Sequence, residues 1–348
     1  MGPSLIKAIT EGRGGMALAT VLEVKGSAPR HPGTKMLAGS GSQLGTVGGG
    51  RGEAMALEAC RRCREEQRDA LLTVEMVGTD IGGPAMVCGG TSTMLIECLD
   101  DRAPYRAALE RLALGQRVLL VKRIVGSGAV TVETALLDQD GSPVLGGAGA
   151  DTAARRALAD GQAWFDAEAG IFYDPIFPEE KLLILGGGHV SKALAALAPG
   201  LGFAVTVVDD RPEMLAEGRF PGGVRLVRSG FRAAVAEFPF DCATYAVIMT
   251  RGHLCDLECV RAVLERPYRY AGFMGSSRKV RLVLEQVLAD GADPGKVAGL
   301  CAPIGLDIDA ETPEELAIAV LGELIAVRRN AGILPRLKAE REHRRGMP

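Results

Sequence analysis

The chain has 348 residues, of which 47% are hydrophobic and 24% charged, and its formal net charge is -3. That length suits two or three domains with cores of their own, and the balanced charge, with no basic block in the body of the chain, disfavours nucleic acid as a main partner. No apolar run approaches the ~20 residues that a membrane span requires, and no charged-then-apolar leader opens the chain, so a cytoplasmic protein is expected.

Residues 4–12 read as a short helix and 16–24 as a strand. GSAPRHPGTKM follows, a loop rich in glycine and proline that carries Arg30, His31 and Lys35 and can aim cations at an anion, or else be a solvated turn. After a short strand at 44–47, Gly48, Gly49 and Gly50 precede an amphipathic helix with Arg51 and Glu53 in its first turn. Such a turn is either an anion cradle or a tight corner whose Glu53 complements the helix dipole.

The eight cysteines, at 60, 63, 88, 98, 242, 255, 259 and 301, are scattered rather than spaced as a small disulfide framework, and reduced thiols are expected. Cys60 and Cys63 form CRRC inside the helix. They read as helix residues, because a redox or zinc pair wants a helix start or two further ligands nearby. Cys88, followed by Gly89 and Gly90, is different in that backbone amides and little side-chain cover surround its sulfur, conditions that favour a thiolate. A buried inert cysteine is the common alternative.

Strands at 70–76, after Cys88, at 118–124 and at 130–137, with a helix at 102–114, complete a mixed α/β N-terminal domain over 1–140. QDGSPVLGGAGAD at 139–151 has a linker's composition. The stretch 141–180, with a helix near 153–164 and a strand near 171–177, is expected to connect to the second domain.

Residues 181–212, KLLILGGGHVSKALAALAPGLGFAVTVVDDRP, are a βαβ unit. An apolar run ends in Gly186, Gly187 and Gly188, a helix opens at once, and a second buried strand closes on Asp209 and Asp210. Glycines at that turn let a pyrophosphate approach the main chain, the helix N-terminus offers its free amides, and Asp209 sits where an acid accepts a ribose hydroxyl. Ser191 holds the place of the third glycine and is small enough for close helix packing. The alternation continues through strands at 224–227, 243–249 and 270–274, giving a Rossmann-like parallel sheet domain over 181–330. Thr250, Arg251 and His253 stand at the carboxyl end of one strand and Gly275, Ser276, Arg278 and Lys279 at the end of another, where open α/β sheets bind ligands. His253, Cys255, Asp256 and Cys259 could suggest a metal site, but two cysteines on one helix face more often pack against the sheet. TPEE at 312–315 is a capping box that starts a final helix to about residue 328, and 331–348 is a basic tail.

GSAPRHPGTKM, TVGGGRGE, MVCGG with Glu97 downstream, LLILGGGHVSKAL, VVDDRPE, MTRGH with Asp256, GFMGSSRK, and APIGLDI followed by TPEE occur in the order found in the XdhC/CoxI family, which the chain resembles over nearly its whole length. That family comprises accessory factors of xanthine dehydrogenase and related molybdenum hydroxylases. The resemblance implies a chaperone, acting by binding and transfer, for the molybdenum cofactor in its molybdopterin or cytosine dinucleotide form. Its implied partners are a molybdenum hydroxylase apoenzyme and a cysteine desulfurase that supplies the terminal sulfur, and homodimerisation is plausible. Cys88 would touch the molybdenum, with Gly89 and Gly90 shaping its surroundings. Arg30, Lys35 and the Gly48, Gly49 and Gly50 turn would neutralise phosphate or dithiolene charge. Gly186, Gly187, Gly188, His189, Asp209, Asp210, Thr250, Arg251, His253, Asp256, Gly275, Ser276 and Lys279 would line the Rossmann crevice. Two positions depart from the family pattern: Cys301 stands where histidine is expected and Asp309 where glycine is usual. The other reading of the same crevice is an NAD(P)-dependent oxidoreductase, for which Asp209 favours NAD and Arg211 could accept a 2′-phosphate.

Overall fold

The structure is a computed structural model that describes residues 2–12, 14–26, 30–39, 41–75, 90–147 and 149–329. It divides into two compact units, Met1–Pro178 and Glu179–Pro348.

The first unit opens with α1 (Pro3–Glu11), β1 (Ala17–Gly26), β2 (Lys35–Ala38), β3 (Gln43–Gly45) and α2 (Gly50–Glu66). It continues through β4 (Asp69–Glu75), β5 (Gly90–Cys98), α3 (Ala103–Ala113), β6 (Val118–Ser127) and β7 (Ala129–Leu137). β8 (Pro143–Leu145), α4 (Thr152–Asp160), β9 (Trp164–Asp166) and β10 (Ile171–Ile176) end it. The strands form one antiparallel sheet in the order β3-β2-β1-β5-β4-β7-β6-β10-β9, with β8 on β7. Two expectations change here. The glycine- and proline-rich loop is shorter than its composition suggests, because Lys35–Ala38 pairs with β1 and buries Met36 and Ala38. The stretch 141–180 does more than connect, since β10 pairs with β6 along its whole length and the unit boundary falls after Pro178. Apolar Ile171, Tyr173 and Ile176 outweigh the linker composition upstream of them.

α2 lies on the sheet through Ala56, Ala59, Cys60 and Cys63, which join Val21, Met94 and Ile96 in one core. Cys63, on its last turn, is bonded as a disulfide to Cys98 at the end of β5, with Cα atoms 6.0 Å apart, whereas the scattered spacing suggested reduced thiols throughout. Their partnership comes from β5 passing beneath the end of α2. The sheet also encloses charge. Lys35 of β2 meets Asp174 of β10 at 2.8 Å, although these strands are far apart in the hydrogen-bonded order, and Lys122 of β6 is ion-paired with Glu97 of β5 and bonded to the Tyr105 hydroxyl at 3.0 Å. Both lysines are buried.

The second unit runs β11 (Lys181–Leu185), α5 (His189–Leu197), β12 (Ala204–Asp209), β13 (Arg225–Arg228), α6 (Phe231–Glu237) and β14 (Thr244–Ile248). α7 (His253–Leu264), β15 (Tyr270–Phe273), α8 (Ser277–Ala289), α9 (Pro294–Gly299) and α10 (Pro313–Arg328) follow. Its five strands are all parallel, in the order β13-β12-β11-β14-β15. Leu182 and Ile184 face α5 and α10, while Leu183 and Leu185 face α6, α7 and α8, so the sheet is buried on both sides. The capping box forms as the sequence suggests: Thr312 accepts from Glu315 N at 3.2 Å and Glu315 accepts from Thr312 N at 3.0 Å. Strand order reverses between β11 and β14, and the crevice at their carboxyl ends is where such a sheet takes a ligand.

Candidate functional site

The glycine turn after β11 is shaped by what surrounds it. Gly186 has φ +111, and a Cβ there would collide with the Met249 carbonyl and come within 3.1 Å of Thr250 Cα, so the turn lies against the end of β14. At Gly187 a Cβ would meet the Met214 carbonyl at 3.0 Å and Met214 Cβ at 3.1 Å. Gly188 differs. It is the N-cap of α5 with φ -69, its Cβ position is open, and no side chain caps the helix. The first amides of α5 are therefore available to an anion. Ser191, at the third glycine's position, is buried against the sheet, in keeping with its small size.

Asp209 ends β12 and is fully buried. Its carboxylate accepts the Gly187 N–H at 2.8 Å, the Arg211 N–H at 3.0 Å, and the Arg211 guanidinium at 3.0 and 3.1 Å. Burial pushes this carboxyl up, but the Arg211 guanidinium and the two backbone N–H groups outweigh it and hold it below the ordinary carboxylate value. The acid expected to meet a ribose thus spends its oxygens on the glycine turn and on Arg211. Arg219 braces the same turn by donating to the Gly187 carbonyl at 3.0 Å. No local motif marks Arg219, which lies in the irregular segment after Asp210.

The second turn, after β14, mirrors the first. Gly252 is the N-cap of α7, its Cβ position is open, and again no side chain caps the helix. Thr250 donates to the buried Asp256 carboxylate at 2.6 Å, and Lys279 of α8 ion-pairs with the same carboxylate. Ser276 caps α8 by accepting from Lys279 N at 3.3 Å, and the Lys279 ammonium sits 5.5 Å from the centre of the Phe273 ring. Gly275 packs against the Lys279 stem. Arg251 reaches Asp210 in a paired contact that includes one bond of 2.9 Å. His189 and His253, each the first residue of its helix, are exposed. The structure therefore gathers Gly186, Gly187, Gly188, His189, Asp209, Asp210, Thr250, Arg251, His253, Asp256, Gly275, Ser276 and Lys279 along the carboxyl edge of the parallel sheet. Arg211, Arg251 and Lys279 are matched by acids, so the rim offers an anion the uncapped N-termini of α5, α6 and α7, together with Arg219 and the exposed Arg278.

The remaining candidates belong to the N-terminal unit. Arg30 is exposed, whereas the Lys35 ammonium is enclosed with Asp174. Burial lowers the Lys35 pKa further than Asp174 restores it. The Gly48, Gly49 and Gly50 turn has positive φ throughout, and the Glu53 carboxylate accepts the Val47 and Gly49 N–H groups at 3.2 Å each as well as the Thr46 hydroxyl. An anion from its own helix thus occupies that cradle, and the Thr46 bond leads the causes that hold the Glu53 carboxyl below its ordinary value. Gly90 opens β5 opposite Gly26. Cys88 and Gly89, proposed from sequence for the metal end of the cofactor, lie outside the described residues. Among the described residues, no helix is long and apolar enough to cross a membrane.

A parallel sheet with a glycine turn, an acid at the end of the second strand and a ligand crevice at the switch in strand order defines a Rossmann domain of nucleotide-binding type. The family model described as the XdhC Rossmann domain matches residues 182–324, and that of the XdhC and CoxI family matches residues 10–75. The chain belongs to the XdhC and CoxI family.

Three relatives are similar over most of this chain. A Bacillus subtilis protein named as a probable component of xanthine dehydrogenase is 26% identical, covering 95% of this chain and 98% of its own. The Escherichia coli molybdenum cofactor insertion chaperone PaoD is 24% identical over 93% of this chain and 86% of its own. The uncharacterised Escherichia coli protein YqeB is 25% identical over 90% of this chain, which spans only 44% of that longer protein. A crystal structure described as a xanthine dehydrogenase from Bacillus halodurans superposes with a TM-score of 0.76 at 26% identity, covering 95% of this chain and 97% of its own.

Proposed function

We propose that this chain binds the molybdenum cofactor and hands it to an apo-hydroxylase of the xanthine dehydrogenase type. The observation that carries the reading is the pair of uncapped helix N-termini, at Gly188 and Gly252, flanking the switch in strand order. Phosphate is the part of the cofactor that such amides recognise, and Arg219 adds a cation on the same rim. The match to an insertion chaperone over most of both chains supports it. The residues fit the anionic end of the cofactor: both N-cap positions are open, and the glycine turn lets a ligand approach the backbone.

In this reading the backbone N–H groups opening α5 and α7 hold phosphate, His189 and His253 face the same ligand, and Thr250, Asp256 and Lys279 keep the second turn in place. When bound, the cofactor supplies the molybdenum centre that the recipient enzyme uses, while this chain's residues bind, shelter and release it. Cys88 remains the proposed contact for the metal end, on the family resemblance. Sulfuration by a partner cysteine desulfurase rests on the family resemblance.

The reading is tested by anaerobic reconstitution of a cofactor-free hydroxylase with isolated cofactor, in the presence and absence of the purified chain. Recovery of hydroxylase activity is expected to rise with the chain and to stay at the level of free cofactor with a Gly188→Asp, Gly252→Asp variant. No gain from the wild type would overturn it. The second reading, an NAD(P)-dependent oxidoreductase, is favoured by the place of Asp209 at the end of β12, and it requires a ribose to displace Arg211 or Gly187 from that carboxylate. Saturable NAD(P) binding with turnover would select it.

A further inference from the structure

Three elements of the N-terminal unit bring soft and hard ligand atoms together at one end of the sheet. Cys63 is on the last turn of α2, Asp69 is the first residue of β4, and Cys98 is the last residue of β5. Their two sulfurs and a carboxylate oxygen all lie within 4.8 Å of one another. Asp69 is held in place by the Cys98 N–H, which donates to its Oδ1 at 2.8 Å, and it forms no salt bridge among the described residues. Asp69 and Cys98 also line two recesses, of about 130 and 440 Å³, one bordered by Asp101 and Tyr105 and the other by Arg68 and Asp100. Solvent therefore has a path to the cluster.

Two thiolates and a carboxylate are a donor set for a borderline-soft divalent cation such as zinc, and magnesium or calcium would want oxygen throughout. A tetrahedral ion held by these three keeps one position for water, and the recesses have room for it. Anchoring on a helix end and two strand ends fixes the ligands through the fold. We propose that reduced Cys63 and Cys98, with Asp69, form a binding site for one zinc-class cation, and that the Cys63–Cys98 disulfide is the oxidised, metal-free form of the same site.

The two forms interconvert in balanced steps. Two molecules of a small thiol supply two electrons and two protons to open the disulfide, and leave joined as their own disulfide. The two protein thiols then lose their protons to solvent as the cation binds. Metal binding and cross-linking compete for the same sulfurs, so cation occupancy would respond to the thiol–disulfide balance around the protein. The proposal is independent of the molybdenum cofactor.

Cobalt(II), whose visible absorption reports tetrahedral thiolate coordination, is the probe. The full chain, reduced and stripped of metal, is titrated alongside Cys63→Ser, Cys98→Ser, Asp69→Asn and Cys60→Ser variants, with circular dichroism confirming that each is folded. One tetrahedral cobalt per chain is expected in the wild type and in Cys60→Ser. The band should be lost in either Cys63→Ser or Cys98→Ser, and affinity should fall by at least about tenfold in Asp69→Asn. Oxidation with oxidised glutathione should release the ion. Absence of a tetrahedral band from the reduced wild type, its survival in the Cys63→Ser, Cys98→Ser double variant, or unchanged binding after oxidation would overturn the proposal.

Discussion

The carboxylate of Asp209 accepts the backbone N–H of Gly187 at 2.8 Å, tying the end of the second Rossmann strand to the turn that follows the first. The bond fixes the position of the glycine turn against the strand end. Asp209→Asn exchanges one acceptor oxygen for a donor and leaves a buried partner unmatched, so a loss of about 1 to 3 kcal/mol in urea unfolding at neutral pH is expected. Because the folded carboxyl is held below its ordinary value, its contribution is complete above the unfolded pKa of about 4 and disappears as pH falls through the folded pKa. The stability gap between wild type and variant should therefore close in acid below about pH 4. A gap that persists or widens there would show that the carboxylate's charge is not what matters.

The enclosed Lys122 is a stability determinant of the other unit. Burial works against its charge, but Glu97 and Tyr105 prevail and raise its pKa. Lys122→Ala leaves Glu97 buried without its cation and should cost about 3 to 5 kcal/mol in urea unfolding. Lys122→Met combined with Glu97→Gln removes both charges and should recover most of that loss. A single variant as stable as the wild type would contradict the buried pair.

Asp309 has φ +53, in the left-handed region, and its side chain is exposed. This backbone shape suits glycine, and aspartate is among the side chains that tolerate it. Asp309→Ala should be about 1 kcal/mol less stable than wild type, while Asp309→Gly should stay within about 0.5 kcal/mol because relief of strain is offset by a freer unfolded chain. Equal stabilities for the alanine and glycine variants would contradict this.

Local signals made the second unit readable. LLIL before three glycines, VVDD after the helix and TPEE before the last helix each carry strand, turn or cap chemistry within a few residues, and β11, β12 and α10 follow them. What the sequence could not show are partners brought from a distance. Lys35 sits in a glycine- and proline-rich stretch, where it reads as a cation aimed at an anion or as part of a solvated turn, yet its counter-ion is Asp174 on β10. Asp209 was recognisable by position, but its saturation by Gly187 and Arg211 depends on how the β12 end folds back over the turn. Cys63 and Cys98 have no telling spacing, and only the crossing of α2 over β5 unites them. Glu53 was legible as a dipole-complementing acid, and the structure adds that its oxygens reach the amides of its own glycine turn.

The most direct test of the cofactor reading is equilibrium binding of isolated molybdenum cofactor, under anaerobic conditions, to wild type and Gly188→Asp, with NAD titrated separately. Gly188 has an ordinary φ and open space at its Cβ, and aspartate is a preferred N-cap, so the variant should be as stable as the wild type or slightly more so. Its carboxylate would sit at the amides proposed to hold phosphate. Binding is predicted in the wild type and should weaken by at least about tenfold in the variant, since like charges brought together cost several kcal/mol. Equal cofactor binding by the two proteins, or saturable NAD binding with none of the cofactor, would contradict the account.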